Sequence, residues 1–339
     1  MKKITVVADS HVPYLQSLSE IADMTVLPPA GIDRRAVAGA DALIVRTRTR
    51  CDAALLEGSR IRFVGTATIG TDHIDREWCA SHGITAVNAP GCNAPAVAQY
   101  VFSSLMHIIN RPIAQYTLGI VGVGHVGRIV ERWAKALGMR VMLCDPPRQR
   151  AEGGDGWSSL DDLARGADII TFHTPLTKEG PDRTFHLADS RFFGSLRRAP
   201  IVINAARGPV TDTEVWKEAL KSGTAGPAIV DCWEGEPDID RELLGLADIA
   251  TPHIAGYSEA GKKRASQTVI DALTDAFGLP RLETGLNVPE VPDSITPAVA
   301  LEGYDPFADT DLLRSTVDNF ENLRDHYNLR KELRGAVAE

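Results

Sequence analysis

The sequence lacks paired cysteines. Its five, Cys51, Cys79, Cys92, Cys144 and Cys232, stand far apart with no C-x-x-C spacing. This argues against a disulfide framework and a thiolate zinc site, so reduced thiols and no bound metal are expected. No apolar run approaches membrane-spanning length. There is no basic excess: 36 Lys and Arg face 45 Asp and Glu, for a net charge of −9. Nucleic acid and anionic membranes are therefore poor partners, and an anionic substrate needs a local basic pocket. Met1-Lys2-Lys3-Ile4 runs straight into a strand-like segment with no signal-peptide core, so a cytoplasmic location is expected. Solenoid repeats and low-complexity tracts are also missing.

What is there is a chain of 339 residues, 44% hydrophobic and 24% charged. That is ordinary for a globular protein and long enough for two or three domains. Its organising stretch is Gly119 to Gly127. An apolar run from Leu118 to Val121 leads into Gly122, Gly124 and Gly127, spaced G-x-G-x-x-G. His125 and Val126 open a helical pattern that places Ile129, Val130, Trp133, Ala134 and Leu137 on one face. A second apolar run, Arg140 to Cys144, ends at Asp145, 18 residues after the last glycine. Strand, tight turn, helix, strand and acid at this spacing make a dinucleotide site. Gly122 permits the turn, Gly124 lets pyrophosphate approach the backbone, and Gly127 lets the helix pack closely. The helix N-terminus offers N–H groups to the phosphates. Asp145 suits ribose hydroxyls and would repel a 2′-phosphate, which favours NAD over NADP.

Residues 1–92 read as a separate α/β unit. Short apolar strands at Ile4 to Ala8, Met24 to Leu27, Ala42 to Val45, Phe63-Val64 and Thr85 to Val87 alternate with short helical segments, the pattern of a parallel sheet. Asn93 to Ile109 predicts a buried helix leading into the glycine turn. After Asp145, Pro146 to Gly156 reads as a polar link. Strands then end at His173-Thr174-Pro175, at Asn204-Ala205-Ala206-Arg207-Gly208, at Asp231 to Pro237, and at Thr251 to Tyr257. Ser258 opens a helix to about Phe277 that returns the chain to the first unit. Pro280 to Pro306 shows little helical pattern, and Asp309 to Leu333 reads as an amphipathic charged helix. The expected domains are thus 1–92 with 258–278 as a substrate-binding lid, 93–257 as the NAD-binding domain, and 279–339 as a short C-terminal extension for dimer contact.

Alcohol oxidation by hydride transfer needs a base, a cation for the carboxylate and incipient carbonyl, and an acid that orients the base. At successive strand ends the chain offers His253, Arg207 and Glu236. Histidine's ordinary titration range suits the base. The planar fork of arginine matches a carboxylate. Glu236 would orient the imidazole and favour its charged form.

The glycine turn, Asn204 to Gly208, Asp231-Cys232-Trp233-Glu234-Gly235-Glu236-Pro237 and Pro252-His253-Ile254-Ala255-Gly256 together resemble the D-isomer-specific 2-hydroxyacid dehydrogenases. Further stretches are Phe63 to Asp75, Pro90-Gly91-Cys92-Asn93-Ala94 with Tyr100 to Leu105, Leu143 to Arg148, and Phe172 to Leu176. These resemble one branch of that family, which oxidises a four-carbon 2-hydroxy acid bearing a terminal phosphate during vitamin B6 synthesis. The resemblance implies two Rossmann-like parallel-sheet domains around a cleft, a C-terminal dimerisation extension and a homodimer. It implies Arg207, Glu236 and His253 as the catalytic set. It puts Asp145, Thr174, Ala205, Ala206, Arg207, Asp231 and Gly256 against NAD, and Thr47, Thr68 and Tyr257 against substrate. Phe320 to Tyr327, followed by Arg330-Lys331-Glu332, resembles the distal part of the branch's extension, although the chain stops at Glu339, where many relatives continue.

A phosphorylated substrate needs cations. Arg46, Arg48 and Arg50 alternate, so on an extended segment they would share one side, and Arg46 is the expected pocket residue. Two other readings of the same scaffold remain open. One is a sister dehydrogenase for 3-phosphoglycerate, glyoxylate or hydroxypyruvate. The other is an NAD-sensing binding protein of the corepressor kind.

Overall fold

The computed structural model describes residues 3–333. The chain divides into two compact units, Met1–Asn93 with Glu259–Pro289, and Ala94–Ser258 with Glu290–Glu339.

The first unit carries five parallel strands, β1 (Ile4–Asp9), β2 (Ala22–Leu27), β3 (Ala42–Val45), β4 (Phe63–Thr66) and β5 (Thr85–Val87), in the order β2-β1-β3-β4-β5. Every residue of β3 and β4 is buried, as expected of strands covered on both faces. The helix Glu259–Phe277 covers one face, with Val269, Ile270 and Leu273 fully buried against Val6, Ile44 and Phe63.

The second unit carries β6 (Thr117–Val121), β7 (Arg140–Cys144), β8 (Ile169–Phe172), β9 (Ile201–Asn204), β10 (Ala228–Val230) and β11 (Ile249–Ala250). The order is β11-β10-β9-β8-β6-β7, and neighbouring strands pair in parallel. The order reverses between β6 and β8, so the crevice at their carboxyl ends is where a ligand belongs. The helix Ala94–Ile108 and the post-glycine helix His125–Ala136 pack together through Phe102 and Trp133, whose rings lie 6.0 Å apart. Each such fully buried side chain contributes about 1.5–3 kcal/mol.

Three expectations change. Pro146 to Gly156 is not all link, because Pro146–Glu152 is helical. Asp145 caps it by accepting the Arg148 N–H, and proline is favoured in the first turn. Arg46 to Arg50 is not extended. Thr47 and Arg48 form a turn, and Thr49 is buried. The chain turns because Cys51 must bridge to Ile74 and Asp52 must cap the next helix. Arg50 then pairs with Asp52 at 2.7 Å, so the three arginines are not aligned by strand alternation.

The tail, expected as one segment over 279–339 with a helix from Asp309 to Leu333, is divided. Residues 278–289 belong with the first unit and those from 290 with the second. Its described helices are Pro297–Gly303, Pro306–Ser315 and Phe320–Asp325. Thr316, at φ −138°, ends the middle one. Thr310 Oγ1 accepts the Ala250 N–H, and Leu313 and Phe320 enter the β8–β10 side of the core, so this segment covers edge strand β11.

Candidate active site

The glycine turn comes first. Gly122 has φ +86°, and a Cβ on Gly127 would lie 2.2 Å from the Gly122 carbonyl oxygen. The third glycine is therefore required by the turn itself as well as by helix packing. Gly124 caps the helix and has nothing within 4 Å of a built Cβ, which leaves its open side to a ligand. The first N–H groups of His125–Ala136 have no partner within the helix.

Asp145 closes this turn. Its Oδ2 accepts the Val123 N–H at 2.8 Å and its Oδ1 the Arg148 N–H at 3.0 Å. The Arg148 guanidinium donates to the Val123 carbonyl at 2.8 Å and to Glu152 at 2.7 Å. Gly122, Gly124, Asp145, Thr174 and Leu187 line a cavity of about 440 Å³. Thr174 Oγ1 is buried there with no partner. Beside it, burial pushes the pKa of His173 down to about 3, so this imidazole is neutral. An open glycine, an orphaned hydroxyl and an acid at the end of β7 fit the pyrophosphate and ribose of a dinucleotide.

The catalytic candidates gather at the other strand ends of the same sheet. Arg207 follows β9, and its Nη1 donates to the Ala206 carbonyl at 2.8 Å. Asn204 holds the turn by donating to the Arg207 and Gly208 carbonyls. A Cβ on Gly208 would lie 2.0 Å from the Trp233 carbonyl, so only glycine lets this turn meet the loop after β10. That loop carries Glu236, whose Oε1 accepts the Trp233 N–H at 2.7 Å.

His253 stands in the loop after β11 at φ +55°, a conformation that non-glycine residues rarely adopt. Its Nδ1 lies 2.8 Å from Glu236 Oε2 and 3.1 Å from Oε1. Burial acts to raise the Glu236 pKa, but the charge and hydrogen bond of His253, the Trp233 N–H and Arg324 outweigh it and hold the carboxyl below its ordinary value. The Cys232 thiol sits beside this pair, its donor atom within 4.8 Å of theirs. Burial pushes that thiol far up, Asp231 and Glu236 add to the shift, and Arg207 and Arg324 oppose it. At neutral pH it is therefore a thiol, and its S–H faces the Ala206 carbonyl at 3.3 Å.

Asp231 does more than its sequence position suggests. Only 1% exposed, it accepts the Thr251 hydroxyl at 2.7 Å, the Ile254 N–H at 2.8 Å and the Ala255 N–H at 3.0 Å. Burial raises its pKa against these donors. In this structure Asp231 is the strut beneath the His253 loop. Gly256 lies in the turn closed by the Tyr257 N–H on the Ile254 carbonyl at 2.8 Å. Tyr257 packs edge-on against Tyr327 at 6.1 Å.

Two residues that sequence reasoning missed come from the tail. Arg330, 9% exposed, donates to the carbonyls of Ile254 at 3.0 Å, Ala96 at 3.2 Å and Ala255. Arg324 reaches Glu236, with Nη1 3.9 Å from Oε2. Their only sequence signal was the Phe320 to Glu332 motif, which reads as part of an amphipathic helix for dimer contact rather than as a support of the active site.

The remaining substrate candidates belong to the first unit. Val45 of β3 pairs with Thr66 of β4, so the loops carrying Arg46, Thr47 and Thr68 leave adjacent carboxyl ends. Thr68 Oγ1 is 2.7 Å from Thr66 Oγ1. Thr47 is exposed, and Arg46 is half-buried with its Nε unpartnered.

Parallel sheets, a dinucleotide turn and an acid-held histidine define a nicotinamide-dependent dehydrogenase of 2-hydroxy acids. Residues 95–255 match the model of the D-isomer specific 2-hydroxyacid dehydrogenase NAD-binding domain. Among solved structures, D-lactate dehydrogenase from Aquifex aeolicus, complexed with NAD and lactic acid, is similar in fold at a TM-score of 0.67 and 24% identity, over 83% of this chain and 100% of that one. The TT0316 protein from Thermus thermophilus is similar at a TM-score of 0.69 and 26% identity, with the same coverage. Curated relatives are more specific. Erythronate-4-phosphate dehydrogenase from Bacteroides fragilis is 45% identical over 96% of this chain and 97% of its own length. The protein of that name from Porphyromonas gingivalis is 44% identical over 98% and 96%. The chain belongs to the erythronate-4-phosphate dehydrogenase branch of the D-isomer specific 2-hydroxyacid dehydrogenase family.

Proposed function

We propose that this chain oxidises 4-phospho-D-erythronate at C2 to (R)-3-hydroxy-2-oxo-4-phosphooxybutanoate, a step of pyridoxal 5′-phosphate biosynthesis. The 2.8 Å contact between His253 Nδ1 and Glu236 Oε2 carries the chemical part of this reading. An Nδ1–H donated to the carboxylate leaves the Nε2 lone pair to accept the C2 hydroxyl proton. Arg207 binds the substrate carboxylate and polarises the developing C2 carbonyl. When bound, NAD supplies the hydride acceptor. Gly122, Gly124, His125, Val126 and Gly127 hold its pyrophosphate, Asp145 its ribose, and Thr174, Ala205, Ala206, Arg207, Asp231 and Gly256 the remainder. Thr47, Thr68 and Tyr257 contact substrate, and Arg46 its phosphate. The choice of substrate rests on the names of the curated relatives.

The chain works in this reading as a cytoplasmic homodimer. Leu301, Phe307 and Leu312 on the tail are 44%, 37% and 47% exposed and support a contact with a second copy. Among the described residues no helix is long and apolar enough to cross a membrane.

The test is a comparison of kcat/KM on 4-phospho-D-erythronate, unphosphorylated erythronate and D-3-phosphoglycerate. Preference for the first supports the reading, and preference for phosphoglycerate contradicts it.

A further inference from the structure

The catalytic acid of the second unit has a neighbour from the far end of the sequence. Arg324 belongs to the short helix Phe320–Asp325, anchored in the core by Phe320, which is 1% exposed. Its Nη1 is 3.0 Å from Glu321 Oε1 and 3.9 Å from Glu236 Oε2. Tyr257 hydrogen-bonds to it, and its Nε is buried without a partner. The oxygen it approaches, Oε2, is the one that takes His253 Nδ1 at 2.8 Å.

We infer that Arg324 is a positioning residue for catalysis: it fixes Glu236 as a carboxylate oriented toward His253, so the C-terminal segment completes the acid–base pair within its own chain. This rests on the catalytic reading of that pair. His253 alternates between neutral and charged forms during turnover. A half-buried carboxylate whose only cation came and went would lose its main electrostatic support at each cycle. The Arg324 guanidinium is permanently charged and acts on the same oxygen throughout. The segment also holds the histidine's loop, since Arg330 binds the Ile254 and Ala255 carbonyls and the Ser258 hydroxyl donates to Glu332 at 2.6 Å.

The titratable and charged groups facing Glu236 are His253, Arg324 and the Cys232 thiol. Glu321 and Tyr257 face Arg324 in turn, and Asp231 faces His253. Among these, charged His253 first and then Arg324 keep Glu236 ionised, and Arg324 alone of the two is charged throughout turnover. Its removal therefore moves protonation of Glu236 to higher pH, and with it the acid limb of activity.

The test uses the full chain loaded with NAD, as wild type, Arg324→Gln and Arg324→Lys, with melting temperatures as a check on folding. Carboxylate carbons of ¹³C-glutamate-labelled protein are titrated by NMR, with Glu236→Gln assigning the resonance. This readout requires no turnover. Arg324→Gln is expected to raise the Glu236 midpoint, Arg324→Lys to leave it near wild type, and kcat of Arg324→Gln to fall about tenfold with KM for NAD unchanged. An unchanged midpoint and acid limb in a folded Arg324→Gln protein would overturn the role. Loss of wild-type turnover with a shifted midpoint would keep the contact and reject the dehydrogenase reading instead.

Discussion

Glu236 Oε2 and His253 Nδ1 lie 2.8 Å apart although 17 residues separate them in sequence. The loops after β10 and β11 are held by Trp233 and Asp231 so that one carboxylate meets one imidazole. Glu236→Gln keeps the shape but removes the charge, and kcat should fall about 100-fold. The sign of the pH effect follows from the lowered folded value of Glu236. Its contribution to stability is complete above the unfolded value, near the ordinary glutamate range, and is lost as pH falls through the depressed folded value. Wild-type activity should therefore keep its acid–base pair through neutral pH, and the acid limb should change shape in Glu236→Gln. A pH–rate profile identical to wild type would contradict this.

Asp145 binds the Val123 and Arg148 amides while lining the cavity. Asp145→Ala should lower kcat/KM for NAD about tenfold and narrow the preference over NADP, since a carboxylate no longer repels a 2′-phosphate. Steady-state kinetics with both dinucleotides check this, and an unchanged ratio would remove Asp145 from cofactor choice.

Arg46 is half-buried with its Nε unpartnered at the carboxyl end of β3. Arg46→Ala should raise KM for the phosphorylated acid about tenfold and leave KM for NAD alone. Equal KM values for wild type and variant would take Arg46 out of the phosphate site.

Leu301, Phe307 and Leu312 expose apolar surface on the tail helices. Light scattering should give twice the 36.6 kDa chain mass, and Leu312→Asp should shift the population toward monomer. A wild-type monomer at micromolar concentration would contradict the dimer.

The strands were legible because parallel strands covered on both faces are continuous apolar runs, as Ala42–Val45 and Ile169–Phe172 show. The helix after the glycines was legible from its period, with Val130, Trp133 and Ala134 buried on the expected face. The helix after Asp145 was missed although Pro146 and Pro147 are first-turn residues, because the glycines that follow suggested a link. Arg46 to Arg50 was misread because alternation has meaning only on an extended chain, and a turn is imposed by the bridge between Cys51 and Ile74. Arg207, Glu236 and His253 were readable as polar residues at successive strand ends. Arg324 and Arg330 were not, because contacts such as Arg330 with Ile254, 76 residues apart, leave no local pattern. The strut role of Asp231 was hidden likewise, since its partners lie on another loop.

The most direct test of the account is keto-acid formation from 4-phospho-D-erythronate by wild type and His253→Asn. Both are supplied with NAD and with 2-oxoglutarate as hydride acceptor, and product is followed alongside absorbance at about 340 nm because recycling hides NADH. The account predicts turnover by wild type and at least about 100-fold less by the variant. Equal rates for the two, or no product from wild type, would contradict it.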